Sequence, residues 1–234
     1  MATRQIACDT CAVRNRAVCG ALSDEEISRL NGIAHFKQFP AGSVIHRDHD
    51  EPGYFANVVS GVVKLTKTLS DGRQQIVGLQ FAPDFVGRPF RTESALTAEA
   101  ATGVELCSFP RRAVERMIAD QPDLQNRLLK QTLKELDQAR DWMVTLGRKT
   151  AAEKVASFLL MIARNIHPTE AGETRRAAFD LPLSRADIAD FLGLTIETVS
   201  RQMTRLRMDG IIRVEHNRHI TVDDLERLSS RAGD

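Results

Sequence analysis

The pattern of apolar residues changes period at Pro110, and that change limits what the chain can become. From about Ile33 to Phe109 the sequence consists of short runs. FPAGSVIH, YFANVVSGVVKLTKTL, RQQIVGLQF and GVELCSF each mix Val, Ile, Leu and Phe with turn residues. Such runs predict strands. Pro40–Ala41–Gly42, Ser60–Gly61, Asp71–Gly72 and Pro83–Asp84 punctuate them, and Asp71–Gly72 between two alternating runs predicts a hairpin. Several short strands at this spacing predict a small antiparallel barrel or roll.

After Pro110 the period becomes helical. Within 123–147, Leu129, Thr132, Leu136, Ala139, Met143 and Leu146 advance in steps of three and four, an a/d heptad. Lys134, Glu135, Asp137 and Arg140 occupy the other faces. So narrow a stripe predicts a parallel seam with a second copy of the chain; the alternative is one amphipathic helix packed on its own domain. Thr132 and Ala139 weaken the seam, which predicts a marginal dimer. Residues 150–166 predict another helix, with Val155, Phe158, Leu159 and Ile162 inward. HPTEAGETRRAA reads as a loop and FDLPLS as a short strand. Ahead of the roll, Ser23 and Glu26 predict a capping box before Ile27 and Leu30.

A length of 234 residues suits two modest domains, and 42% apolar with 27% charged residues describes a globular chain. Net charge near +1 excludes a uniformly basic nucleic-acid coat, so any DNA binding must come from a local patch. The opening MATRQIACDTCAVRNRAVCG has no apolar core of a signal peptide, and nowhere is there a run of roughly 18 apolar residues. The expected location is the cytoplasm, where disulfides seldom persist.

Three of the four cysteines, Cys8, Cys11 and Cys19, crowd the first nineteen residues as C-x2-C-x7-C, and Cys107 lies in a predicted strand. Packing does not explain such crowding, because structural cysteines scatter along core faces. Four thiolates split three plus one complete the ligand set of either a tetrahedral Zn²⁺ or a [4Fe–4S] cluster. Only one short C-x2-C knuckle is present, where zinc sites more often show two. Residues 1–20 have no periodicity and are expected to lack fixed shape until something ties them down.

Near the carboxy terminus Ser184 is an N-cap for RADIADFLGL. Ala189 is small where two helices must cross, Gly193 suits the left-handed turn, and Val199 seats the second helix on the first. In TIETVSRQMTRLRMDG, Val199, Met203 and Leu206 face inward, which puts Glu197, Ser200 and Arg201 on one outward face. Arg reads guanine O6 and N7, Glu accepts from cytosine N4, and Ser suits several base edges. Arg205, Arg207 and Arg213 are expected on phosphates. A solvated Glu197–Arg201 ion pair is the bland alternative. GIIRVEHNRHITV then reads as a hairpin wing.

An enzyme is not expected. His46, Asp48, His49 and Glu51 in HRDHDE lack the His spacing of a cupin metal site and read as a solvated turn. Cys8–Cys11 lacks the βαβ context of a disulfide oxidoreductase.

Taken in order, these parts resemble the FNR branch of the CRP/FNR family of bacterial transcription factors over nearly the full length. The most specific element is E-x-x-S-R: Glu197, Ser200 and Arg201 in LTIETVSRQMTRL. The resemblance implies an α+β chain with four segments. Residues 1–20 form a cluster-binding arm, 21–122 a cyclic-nucleotide-binding-like antiparallel β-roll, 123–147 a dimerisation helix, and 148–234 a winged helix-turn-helix. It implies that Glu197, Ser200 and Arg201 read TTGAT half-sites of an inverted repeat in double-stranded DNA. The sister CRP branch has Arg where Ile196 stands and Gly where Ser200 stands. The resemblance further implies a [4Fe–4S] cluster on Cys8, Cys11, Cys19 and Cys107 that promotes homodimerisation and DNA binding without oxygen, and RNA polymerase as a partner. C-x2-C-x7-C differs from the C-x2-C-x5-C of the best-known members and is similar to relatives from photosynthetic and nitrogen-fixing bacteria. Structural zinc, and nitric oxide as the signal, stay open. Where the family's nucleotide pocket needs an acidic residue after Gly and an Arg-Ser pair, this chain has Arg88 after Gly87 and Ala98–Glu99. No cyclic nucleotide is therefore expected.

Overall fold

A computed structural model describes residues 8–166 and 175–233, so most of the loop expected over HPTEAGETRRAA lies outside the described residues. The chain divides into two compact units, 1–137 and 138–234.

In the first unit, α1 (Asp24–Asn31) begins at the expected capping box: Ser23 accepts from the Glu26 amide while the Glu26 carboxylate takes the Ser23 amide. Eight strands follow: β1 (His35–Phe39), β2 (Val44–His46), β3 (Tyr54–Ser60), β4 (Val62–Thr68), β5 (Gln74–Phe81), β6 (Phe85–Val86), β7 (Thr97–Ala100) and β8 (Val104–Pro110). They form two four-stranded antiparallel sheets, ordered β1-β8-β3-β6 and β2-β7-β4-β5. Ala56, Val58, Val104 and Leu106 of one sheet share a core with Val63, Ala98 and Ala100 of the other. The Asp71–Gly72 hairpin joins β4 to β5, closed by the Leu69 amide on the Arg73 carbonyl.

β3 and β8 are buried on both faces. Side chains alternate across a strand, so while Leu106 and Val58 enter the core between the sheets, Phe55, Cys107 and Phe109 enter a second core on the opposite face. That second core is closed by α1, by α2 (Arg111–Asp120), by Leu124 at the start of α3 (Pro122–Arg148), and by the cysteine segment itself. Here the structure corrects the sequence reading. From Cys8 onward the arm is not shapeless: Cys8–Thr10 and Val18–Ala21 are short 3₁₀ turns, and Val13, Ala17 and Val18 are buried. Gly20 lets backbone approach backbone, since a Cβ there would stand 2.7 Å from the Asn15 carbonyl oxygen.

In the second unit, α4 (Ala151–Ile166) buries Val155, Phe158, Leu159 and Ile162 completely. β9 (Ala177–Asp180), α5 (Arg185–Leu192), α6 (Ile196–Met208), β10 (Arg213–Glu215) and β11 (His219–Val222) follow, with the three strands ordered β10-β11-β9. A last helix, α7 (Leu225–Ala232), was not foreseen; its eight residues are too few for a clear period, but Leu228 and Ala232 are fully buried and Asp224 caps it. No helix of the described residues is long and apolar enough to cross a membrane.

Candidate functional site

Two arrangements carry chemistry, one in each unit. In the first, Cys8, Cys11, Cys19 and Cys107 all line one small pocket with Val13, Arg14, Leu30, Phe36, Asn57 and Phe109. Three thiols arrive on the tight turns of the arm, where the Cys11 amide donates to the Cys8 carbonyl and the Arg14 amide to that of Cys11. The fourth is delivered by the outer face of β8. Cys8, Cys19 and Cys107 are buried, and Cys11 is half-buried. Among the described residues no three His, Cys, Asp or Glu side chains converge as a single-ion site.

Burial raises the pKa of Cys19 and Cys107. The Cys19 thiol is pushed up to about 11, first by desolvation and then by neighbouring Cys11 and Cys8. Cys107 is pushed up as well, by burial and then by the other three cysteines. Four thiolates in this setting need a compensating cation, and a cationic metal centre supplies one while displacing the protons. The donor set therefore fits an iron–sulfur cluster bound by cysteine alone.

One lining residue was not singled out from sequence. Asn57 on β3 is 1% exposed, pairs across the ladder with Cys107, and directs Nδ2 at Cys19 Sγ, 4.0 Å away. Its Oδ1 has no hydrogen-bond partner among the described residues. The signal was present in YFANVVS, where an amide interrupts a run of apolar residues in mid-strand.

A separate cavity of about 520 Å³ is lined by Arg88, Arg91, Gln125, Gln131 and Glu135, among others. Glu99 does not line it; on β7 its carboxylate pairs with Lys64 at 3.0 Å. HRDHDE is a surface turn in which Lys67 holds Asp48 at 2.6 Å.

In the second unit the two helices of the DNA-reading segment take the predicted form. Ser184 and Asp187 make a reciprocal capping box, and Gly193 ends α5 at φ 61°, a conformation that costs a residue with a Cβ. Thr195 caps α6, and Val199, Met203 and Leu206 are buried. Glu197, Ser200 and Arg201 are exposed together at i, i+3 and i+4. No ion pair joins Glu197 to Arg201 among the described residues, so the bland alternative is not what holds them. The Glu197 carboxyl sits below its ordinary range through hydrogen bonds from its own amide and the Thr195 hydroxyl. Arg213, expected on phosphate, is paired with Asp223 at 2.7 Å. β10 and β11 form the wing, turning through His216 and Asn217 at positive φ.

Along α3, Leu129, Thr132, Leu136, Ala139 and Met143 are exposed, and Leu146 is half-buried. Leu133 and Val144, which the heptad reading passed over, are exposed too.

Residues 153–231 match the Crp-like helix-turn-helix domain, and residues 36–121 match the cyclic nucleotide-binding domain. A probable transcriptional activator of Rhizobium leguminosarum bv. viciae is 57% identical over 223 residues, which cover 95% of this chain and 92% of the relative. The chain belongs to the CRP/FNR family of transcription regulators. Within that family it is 45% identical, over 97% of its length and 92% of the relative's, to the transcriptional activator protein FnrL of Cereibacter sphaeroides. The structure of FixK2 from Bradyrhizobium japonicum superposes with a TM-score of 0.75 at 33% identity, covering 85% of this chain and 96% of that one. These CRP/FNR relatives are DNA-binding regulators of transcription, not enzymes.

Proposed function

We infer that this CRP/FNR regulator senses oxygen through a [4Fe–4S] cluster held by Cys8, Cys11, Cys19 and Cys107. As a dimer paired along α3 it reads TTGAT-type inverted repeats and acts with RNA polymerase. The observation that carries the reading is the convergence of all four thiols, three from the arm and one from β8, on one pocket. The set contains one short C-x2-C knuckle, where zinc sites more often show two, and this favours the cluster over a single Zn²⁺.

The chain's residues divide the work. Cys8, Cys11 and Cys19 bind the arm's end of the group, and Cys107 anchors it to the roll. The group, when bound, supplies an oxygen-labile iron–sulfur centre. Apolar Val13, Leu30, Phe36 and Phe109 exclude water, and Asn57 offers its amide to Cys19. The exposed face of α3 packs against the same face of a second copy, setting two α6 helices on successive half-sites. Glu197, Ser200 and Arg201 then meet base edges in the major groove.

The decisive experiment is purification without oxygen, followed by iron and sulfide analysis and a visible spectrum before and after air. About four iron and four sulfide per chain, with a brown absorbance that air bleaches, is the expected result. A colourless protein with one zinc, indifferent to air, would overturn the sensing half and leave the DNA-binding half in place.

A further inference from the structure

α3 touches the cysteine core with one face and leaves another uncovered. Leu124 is buried and Leu128 half-buried in the core that holds Cys8, Cys19 and Cys107, while Leu129 and Leu136 are 57% and 44% exposed. Arg127 lies between these faces in sequence and reaches into the arm. Its Nη2 donates to the carbonyl oxygens of Asn15 at 3.2 Å and of Arg16 at 2.8 Å. The preceding carbonyl, that of Arg14, lies 3.7 Å from Cys19 Sγ. Three successive carbonyls of the Cys11–Cys19 loop thus connect a cysteine to the guanidinium.

This loop has little slack. A Cβ on Gly20 would stand 2.7 Å from the Asn15 oxygen, and the Arg14 side chain is fixed to Asp24 at 2.7 Å. A guanidinium on two adjacent peptide oxygens senses their orientation as well as their position. At 100° per residue, Leu129 and Leu136 lie about 200° and about 180° around the helix from Arg127. The guanidinium therefore grips α3 from behind the apolar stripe.

We propose that Arg127 is the positioning residue through which ligation of the Cys11–Cys19 loop sets the presentation of the α3 dimer face. The proposal rests on the reading that the loop binds a cluster and that α3 pairs with a second copy. Ligation fixes the loop at both of its cysteines, Arg127 transfers that fixed geometry to the helix, and Leu124 and Leu128 provide the fulcrum.

The test compares the unmutated chain, Arg127→Ala and Arg127→Lys, each prepared without oxygen. Iron content and the visible spectrum are recorded, and then the dimer dissociation constant by sedimentation, with and without the cluster. Arg127→Ala is expected to load iron normally, to raise the dissociation constant of the loaded form by about fivefold or more, the lower range of coupled sites, and to leave the cluster-free value unchanged. Arg127→Lys, able to serve one carbonyl, is expected to fall between. The proposal is overturned if loaded Arg127→Ala dimerises as tightly as the unmutated chain. It is also overturned if both forms weaken equally, which marks a merely structural role, or if iron loading itself fails. Should Arg127→Ala not fold, Arg127→Lys decides by the same comparison. An unmutated chain without iron would instead bring down the underlying reading.

Discussion

The indole of Trp142 stands edge-on to the phenyl ring of Phe191, with ring centroids 4.6 Å apart and planes at 69°. Phe191 in turn meets Phe158 at 5.7 Å, so α3, α4 and α5 share one aromatic cluster. The end of the helix assigned to dimerisation is thereby packed on the first helix of the DNA reader. Trp142 is the sole tryptophan, and its emission reports on this junction alone.

Phe191→Leu removes two edge-to-face pairs, with Trp142 and with Phe158, each worth about 0.5–1.5 kcal/mol beyond its buried area. The expected outcome is a red shift of tryptophan emission and a lower unfolding midpoint followed by that signal. Emission identical to the parent would show that the ring contact is not kept in solution.

Arg201→Ala should weaken binding to an inverted-repeat duplex by about 1–3 kcal/mol and relax discrimination at one guanine. Titrations at fixed salt against half-sites altered one base at a time provide the check. A uniform loss on every sequence would reassign Arg201 to a phosphate.

Asn57→Leu replaces a buried amide whose Oδ1 lacks a partner with an apolar group of similar size. Relieving an unsatisfied polar group offsets the lost N–H···S contact, so the cluster-free variant is expected to melt no lower than the parent. The loaded variant, deprived of a donor to a ligand sulfur, should bleach faster in air, because hydrogen bonds to sulfur tune such centres. Equal bleaching rates would remove Asn57 from the site's chemistry.

A pH series tests the thiol environment. Cys19 in the folded chain holds its proton up to about 11, against an ordinary value of 9.0. Native protein binds that proton more tightly than unfolded protein, so the stabilisation is complete below pH 9 and is lost as pH rises towards 11. Denaturant unfolding of cluster-free protein from pH 8 to pH 11 should show a decline on the order of 2 kcal/mol. Cys19→Ser should make the decline shallower and leave the part that belongs to the buried Cys107 thiol; a slope identical to the parent's would assign the effect to other groups.

Much of this was legible in the sequence because the relevant signals are local. Ser23 with Glu26, Ser184 with Asp187, and Gly193 between two apolar helices each state their geometry within a few residues. β7 was harder to read: TAEA has none of the Val, Ile or aromatic residues that mark a strand, and its place is fixed by β4 and β2 on either side. The order of the arm was missed for a similar reason, since Ala17 and Val18 are buried in a core that they share with Phe55, Phe109 and Leu124, far along the chain. Arg127 gave no sign at all. A lone arginine at a helix position opposite the apolar stripe reads as solvated until its two carbonyl partners are seen.

β8 has a further consequence for how the molecule comes into being. Cys107 faces the arm only because β8 is zipped between β1 and β3, in the register that sets Phe36 and Asn57 beside it. A slip of one residue would turn Leu106 outward and hide the thiol between the sheets. During synthesis three cysteines emerge almost at once, then wait for some ninety more residues before the fourth is made and for the whole roll to close before it is aimed. The complete set of four thiols therefore certifies a finished domain, and a half-made or misregistered chain has no way to present it.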